Sequence, residues 1–262
     1  MPTIYELARY KDELGNEIVY DGSLELKIDI RFKNGKNNRL VIAPGADLRD
    51  LLVIFTGDNG LIEIGTTTKP RAGLRFELRC GHQSTIRIGD NVGCAGRAFI
   101  SAVEGEDVSI GEDVMFAKNI EVRVDDTHPL FDVESEERVN PSKSIVIGEH
   151  VWLAKHVVVM GGVTIGDGAV IGFRSIVTSA IPNNCVAVGV PAKVVRRNVA
   201  WERPEVVHRL PGEKHPRPGE KSEPYWNVTD DDLLPKVTSP TLPAPESERG
   251  PLLGRLLGRR DG

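Results

Sequence analysis

Residues 144–178 read SIVIGEHVWLAKHVVVMGGVTIGDGAVIGFRSIVT. Every sixth residue from Ile147 is aliphatic: Ile147, Leu153, Val159, Ile165, Ile171 and Val177. Two residues before each stands a second series, Ile145, Val151, Val157, Val163, Ala169 and Ser175, all small or β-branched. A helix repeats about every 3.6 residues and a plain strand every 2, so a period of six fits neither. It fits a chain that makes a short strand, turns a corner and repeats. Alternate residues of a strand share a face, so both series point inward. The residue that follows each first-series member, Gly148, Ala154, Met160, Gly166, Gly172 or Thr178, is small in all but one case. The glycines are expected to supply the corner angles that other residues resist. Three such sides close a triangular coil, and stacked coils make a parallel β-helix.

The repeat extends toward the N-terminus with less regularity. Ile88, Cys94 and Ile100 form one coil, and Ile110, Phe116 and Val122 the next. Cys94 on the inward series reads as a buried small hydrophobe. From 34 to 89 short apolar strands such as Leu40-Val41-Ile42 and Ile86-Arg87-Ile88 alternate with Asn-Gly and Asp-Asn turns. Residues 1–35 read as an N-terminal cap over the open end of the coils, with an alternating strand at 23–32. The β-helix is expected over 36–197.

Between Val122 and Ile147 the count breaks: 25 residues stand where six would serve. The excess, at about 123–144, is an extruded loop. Loops leaving a rigid scaffold are where function tends to reside. Residues 198–262 hold ten of the 17 prolines and no six-residue repeat. They read as a Pro-rich extended or disordered tail, unless Trp201, Tyr225 and Trp226 pack it against the outside of the coils. LLGRLLGRR (252–260) reads as a short basic amphipathic segment.

A net charge of −5 gives no nucleic-acid footprint. Three cysteines without motif spacing fit a reducing compartment. The charged start, MPTIYELARYKDELGNE, lacks an apolar core, and no run reaches the roughly 18 apolar residues of a membrane span. The expectation is a cytoplasmic protein without a membrane span.

Thr127-His128-Pro129 in the loop is followed by Ile147-Gly148-Glu149-His150-Val151-Trp152-Leu153-Ala154 and by a closing Gly189-Val190-Pro191-Ala192-Lys193. Together these motifs resemble the hexapeptide-repeat acyltransferases: the galactoside and maltose O-acetyltransferases and their relatives that O-acetylate bacterial capsular and other surface polysaccharides. The resemblance covers about 85–197. It implies an all-β, left-handed parallel β-helix; the hand comes from the resemblance, since crossovers otherwise favour the right. It implies acetyl-CoA as co-substrate, a saccharide or polysaccharide acceptor, and a homotrimer with active sites between protomers.

The resemblance places His128 as catalytic base, a role that suits an imidazole titrating near neutrality. Asp125 or Asp126 would orient the ring or meet substrate. Trp152 lies between two inward residues, so it points outward and would wall the site. Coenzyme A would contact Ala154, Lys155, Gly172, Phe173, Thr178, Ser179, Lys193 and Arg196, with Lys193, Arg196 and Arg197 forming a basic cluster for its phosphates. Two departures stand out: Phe173 replaces a usual alanine, and Ser179 a commonly basic residue. Carbonic anhydrases of the same fold hold zinc through a His-x4-His pair and a third histidine. That pair is absent here, so His150 and His156 read as solvated and no metal is expected. Two alternatives remain open: an N-acyltransferase acting on an amino sugar or antibiotic, and a non-catalytic β-helical scaffold.

Overall fold

The computed structural model describes residues 3–22, 26–33, 35–206, 221–235 and 238–242. They form a left-handed parallel β-helix with three faces. The first face stacks Thr3–Glu6, Lys27–Phe32, Leu48–Phe55, Leu74–Cys80, Ala98–Ala102, Ile120–Arg123, Val158–Val159 and Ile176–Val177. The second stacks Tyr10–Lys11, Glu17–Tyr20, Arg39–Ile42, Leu61–Ile64, Thr85–Ile88, Val108–Ile110, Ile145–Ile147 and Thr164–Ile165. The third runs from Gly93–Cys94 through Met115–Phe116, Trp152–Leu153 and Val170–Ile171 to Cys185–Gly189 and Ala192–Arg197.

Both inward series are buried as the period requires, from Ile145 and Ile147 through Ser175 and Val177. Each such aliphatic side chain contributes about 1.5–3 kcal/mol on burial. All three cysteines are buried and free, and burial pushes the Cys80 thiol up to about 12.

The corners correct one expectation. The left-handed angles fall three residues after each first-series member, not one: Asn91, Asp113, His150, His156, Gly162, Gly168 and Arg174 all have positive φ. The glycine that follows the aliphatic residue answers a different constraint, the approach of the next coil. A Cβ on Gly148 would lie 2.2 Å from Asp167 Oδ1, and one on Gly166 would lie 2.3 Å from Asn183 N.

The ends also differ from expectation. Coiling begins well before residue 36, because Glu17–Tyr20 and Lys27–Phe32 already pair in parallel with Arg39–Ile42 and Leu48–Phe55. Among the described residues before 36, only Thr3–Glu6 and Tyr10–Lys11 act as a cap, each closing an open edge in antiparallel fashion. At the other end Ala192–Arg197 folds back antiparallel on Cys185–Gly189.

The described residues beyond 198 are not a free tail. They lie along the corner between the second and third faces as a strap, once through 199–206 and again through 221–235 and 238–242. The Asn184 amide donates to the carbonyls of Val199 at 3.0 Å and Tyr225 at 2.6 Å, and Asn183 donates to that of Val228 at 3.0 Å. Further along, Thr241 N donates to Asp90 Oδ1 at 3.0 Å. The centre of the strap is His150, which is buried rather than solvated. Its ring is stacked between Trp201, centroids 4.2 Å apart, and Tyr225, 4.5 Å apart. Nδ1 lies 2.7 Å from Asp113 Oδ2 and Nε2 lies 3.1 Å from the Trp201 carbonyl. Trp201 Nε1 donates to the His150 carbonyl at 2.8 Å. Trp226 is exposed and donates to Glu202 instead. The basic segment at 252–260 lies outside the described residues.

Burial opposes ionisation of Asp113, but the His150 hydrogen bond and the Arg203 and Arg71 charges outweigh it and hold the carboxyl at about 2. Its contribution to stability is therefore complete above its ordinary value of 3.8 and is lost as pH falls through about 2. Acid titration followed by tryptophan fluorescence should show the strap loosening across that window, and Asp113→Asn should lose that step. Independently, Trp201→Ala should cost about 3–5 kcal/mol in urea unfolding, as other large buried aromatics do, while Trp226→Ala costs less.

Candidate active site

The loop at 124–144 leaves the corner between the first and second faces, after Ile120–Arg123 and before Ile145–Ile147. Its root is pinned by a carboxylate. Asp125 is buried, and both its carboxylate oxygens accept from one nitrogen, Arg79 Nη2, at 2.6 and 2.7 Å, with Ser101 Oγ donating at 2.9 Å and Thr127 N at 3.0 Å. Arg79, Ser101 and Arg123 stand in register on successive coils of the first face. Arg123 completes the mount by donating to the Asp125 carbonyl at 2.8 Å and to Thr127 Oγ1 at 2.7 Å. Burial tends to raise the Asp125 pKa, and the Arg79 and Ser101 hydrogen bonds more than reverse it.

Thr127 is thereby held at φ +70°, a costly conformation for a β-branched residue. The next residue is His128, whose N–H donates to the Asp126 carbonyl at 2.8 Å. Asn140 clips the loop from its far side by donating to the His128 carbonyl at 3.0 Å and to Asp126 Oδ2 at 3.1 Å. Arg138 and Ser142 tie the returning strand to Glu104. The His128 ring is exposed and has no hydrogen-bond partner among the described residues. Neither aspartate orients it, contrary to expectation: Asp125 is committed to Arg79, and the Asp126 carboxylate to Asn140.

Trp152 points outward from the third face, as its place in the repeat requires, and is half-buried. It stands in register between Met115 and Val170. Its ring lies 5.8 Å from that of Trp201, so part of its cover comes from the strap. A corner between the first and second faces lies opposite the third face of a triangular prism. His128 and Trp152 are therefore on opposite sides of one chain.

The other expected positions also divide. Ala154, Lys155, Gly172 and Phe173 share the corner between the third and first faces, one coil above the other; Ala154 N donates to the Ile171 carbonyl and Arg174 N to that of Lys155. Phe173 is exposed beside His156 and beneath the Arg174 guanidinium, 5.3 Å from the ring. Lys193 and Arg196, both exposed, lie on the adjoining antiparallel strand, where Lys193 faces Val188, the neighbour of Gly172. Arg197 leaves the basic cluster, being paired with Asp231 of the strap at 2.9 Å. Thr178 and Ser179 follow Val177 on the corner that carries the loop. The chain thus presents two partial surfaces, with His128, Thr178 and Ser179 along one corner and Trp152, Ala154, Lys155, Gly172, Phe173, Lys193 and Arg196 around the third face.

Comparison with known proteins agrees with the fold. Residues 144–179 match the bacterial transferase hexapeptide family model of six repeats. A putative lipopolysaccharide biosynthesis O-acetyltransferase, WbbJ of Escherichia coli K12, is 32% identical over 57% of this chain and 80% of its own. The chain belongs to the hexapeptide-repeat acyltransferases. A polysialic acid O-acetyltransferase of Escherichia coli O1:K1 is 36% identical, over 45% of this chain and only 39% of its own length. The crystal structure of NeuO, a polysialic-acid-specific acetyltransferase, superposes with a TM-score of 0.65 at 35% identity, covering 73% of this chain and 80% of that one.

Sequence reading of this acyltransferase missed Arg79 and Ser101. They were legible in principle, since both precede Arg123 at the 22-residue interval set by the local coils. It also missed the Asp113–His150 pair, whose partners Trp201, Arg203 and Tyr225 come from the strap. The anchor is testable. Asp125→Ala strands the Arg79 guanidinium and frees Thr127 N, which should cost about 1–3 kcal/mol. Limited proteolysis should then cut within 128–140 faster than in the parent; an unchanged cleavage rate would show that the loop is held by other contacts.

Proposed function

We propose that the protein is an acetyl-CoA-dependent O-acetyltransferase acting on a hydroxyl of a sugar or surface polysaccharide, with His128 as general base. The observation that carries this reading is the exposed imidazole, without a partner among the described residues, on a loop whose backbone is pinned by the buried Asp125 and its ion pair with Arg79. A solvated histidine would need no such mount. The names of the relatives, O-acetyltransferases of polysialic acid and of lipopolysaccharide biosynthesis, support the reaction class.

The chain's surfaces suit the two substrates. Exposed Lys193 and Arg196 offer cations for phosphates, and the small residues Ala154 and Gly172 leave backbone open along the corner above them. The bound thioester supplies an acyl carbon open to attack. His128 takes the acceptor's hydroxyl proton as the new carbon–oxygen bond forms, and returns it to the sulfur as the carbon–sulfur bond breaks. Atoms and charge balance with no other reactant. Holding both substrates beside the imidazole supplies much of the remaining acceleration.

Because His128 and Trp152 lie on opposite sides of one chain, the complete site takes the loop corner of one protomer and the third face of the next. A homotrimer closes such a head-to-tail arrangement.

Thiol release from acetyl-CoA, measured with a panel of saccharides, should rise with the right acceptor. His128→Ala should lower turnover roughly 10²–10⁴-fold without changing the melting temperature; wild-type turnover in that variant overturns the mechanism. A mixing experiment tests the shared site. His128→Ala and Trp152→Ala protomers, each weakly active alone, should regain activity when unfolded together and refolded, because some interfaces then pair an intact histidine with an intact tryptophan. No recovery would place both residues in one protomer's site.

A further inference from the structure

The chain has three tryptophans, and Trp152 is held differently from the other two. Trp201 and Trp226 donate their indole N–H groups to the His150 carbonyl at 2.8 Å and to Glu202 Oε1 at 2.7 Å. The Trp152 N–H has no partner among the described residues. Its own sheet gives it little lateral support. The strand Trp152–Leu153 has a single outward residue, because Leu153 is turned into the core. Along the column the indole meets Met115 on one side and Val170 on the other. Both are narrower than an indole, and neither fixes the rotation of the ring about its bond to Cβ, a torsion with broad wells. A side chain held only in that way can swing across the face.

Trp201 supplies the missing side. Its ring is 5.8 Å from that of Trp152, at an interplanar angle of 45°, within the range where aromatic pairs attract beyond their area of burial. Trp201 is itself fixed from several directions. One face stacks on the His150 ring, 4.2 Å away and 15° from parallel. Its N–H is bonded to the backbone two residues before Trp152. The Arg203 guanidinium lies 5.5 Å from the ring and is bonded to Asp113 Oδ1 at 3.0 Å. His150 is held in turn by Asp113 Oδ2 at 2.7 Å and by the Tyr225 ring on its other face. The strap therefore sets a buried, over-determined indole against one with a free N–H and few restraints.

We propose that Trp201 is a positioning residue for the transferase site: it sets the orientation of the Trp152 indole, and through that ring the pose of the acceptor on the third face. This rests on the O-acetyltransferase reading, in which Trp152 walls the site, and adds to it a residue from the strap. Trp201 is buried and acts through Trp152 rather than by meeting substrate itself. An indole kept in one orientation offers an acceptor an apolar face for C–H groups and an N–H donor for an oxygen. An indole free to swing offers them in many arrangements, few of which bring a hydroxyl to an imidazole held on a pinned loop.

The test compares, in the full chain, Trp201→Leu, which removes the ring, with Trp201→Phe, which keeps one. Tyr225→Leu is the control: it removes the other ring stacked on His150, and Tyr225 has no ring contact with Trp152 among the described residues. Melting temperatures report the loosening of the strap in each. Thiol release from acetyl-CoA is followed with methyl β-galactoside and with oligosialic acid, and the better acceptor is carried through. Trp201→Leu should lower kcat/KM for that acceptor roughly 10–10²-fold, the effect of a misplaced group, while the KM for acetyl-CoA holds. Trp201→Phe should recover most of the loss, and Tyr225→Leu should lose far less. In a Trp152→Ala background Trp201→Leu should add nothing, because the residue it acts through is gone. A full, independent loss in that background overturns the proposal. So does a defect in Tyr225→Leu equal to that of Trp201→Leu, which would make the strap a stabilising element only. A second readout needs no turnover. Combined with Trp226→Phe, either Trp201 variant leaves Trp152 as the sole tryptophan, and its fluorescence anisotropy decay reports motion of the ring. The Trp201→Leu protein should show a fast local component that the Trp201→Phe protein lacks; identical decays reject the proposal. If the wild type releases no thiol with either sugar, that failure belongs to the transferase reading, and the two decays alone decide whether Trp201 holds Trp152.

Discussion

Every coil of this protein must hydrogen-bond to the coils on either side of it while filling a triangular interior only a few side chains wide. That double requirement organises the rest of the molecule. It selects aliphatic residues at two positions in six, because only such shapes fill the interior without stranding a polar group. It selects glycine where one corner passes over the next, as at Gly148 and Gly166. It also leaves one position in each short strand pointing outward. Arg79, Ser101 and Arg123 occupy it on the first face, and Met115 and Trp152 on the third.

A scaffold this regular makes departures conspicuous, and that is why so much of it was legible. The period alone gave the faces and the buried set from 145 to 177. The failure of the period after Val122 gave the loop, and Thr127-His128-Pro129 within it gave the candidate base. The six-residue count likewise fixed Trp152 as outward. Less was visible where an interaction joins distant segments without a period. His150 looks like a corner residue with a solvated ring until Trp201 and Tyr225, 51 and 75 positions away in sequence, close over it. Asp125 looks like a ring-orienting partner for a histidine three residues on, yet its oxygens are taken by an arginine from two coils earlier. The corner glycines were assigned the wrong constraint for a related reason: the approach of a neighbouring coil is a tertiary contact, and dihedral preference is only local.

Two buried carboxylates hold the two outward surfaces in place by the same device. Asp125 gathers Arg79, Ser101 and a backbone amide beneath the loop, and Asp113 gathers Arg71, Arg203 and His150 beneath the strap. Each is a single negative charge satisfied by several donors, which is how a buried ion becomes tolerable. Each also fixes backbone rather than presenting itself to solvent. The polar chemistry inside the protein therefore serves geometry, while the His128 imidazole, Lys193, Arg196 and Lys118 are exposed and make no ion pair among the described residues.

The strap changes the mechanical character of the solenoid. In a stacked-repeat protein each coil touches only its neighbours, so stability is nearly a sum of local terms and the ends can fray one coil at a time. Here residues 199–203 are bonded to Asn184, His150 and Asp113, and Tyr225, Val228 and Thr241 in turn to Asn184, Asn183 and Asp90, spanning coils that otherwise communicate only through those between them. Opening the last coil means releasing a band also fastened four coils away. A chain that would unravel like a spring from its free end is laced along one edge, so loss of its final turn becomes coupled to loss of its middle.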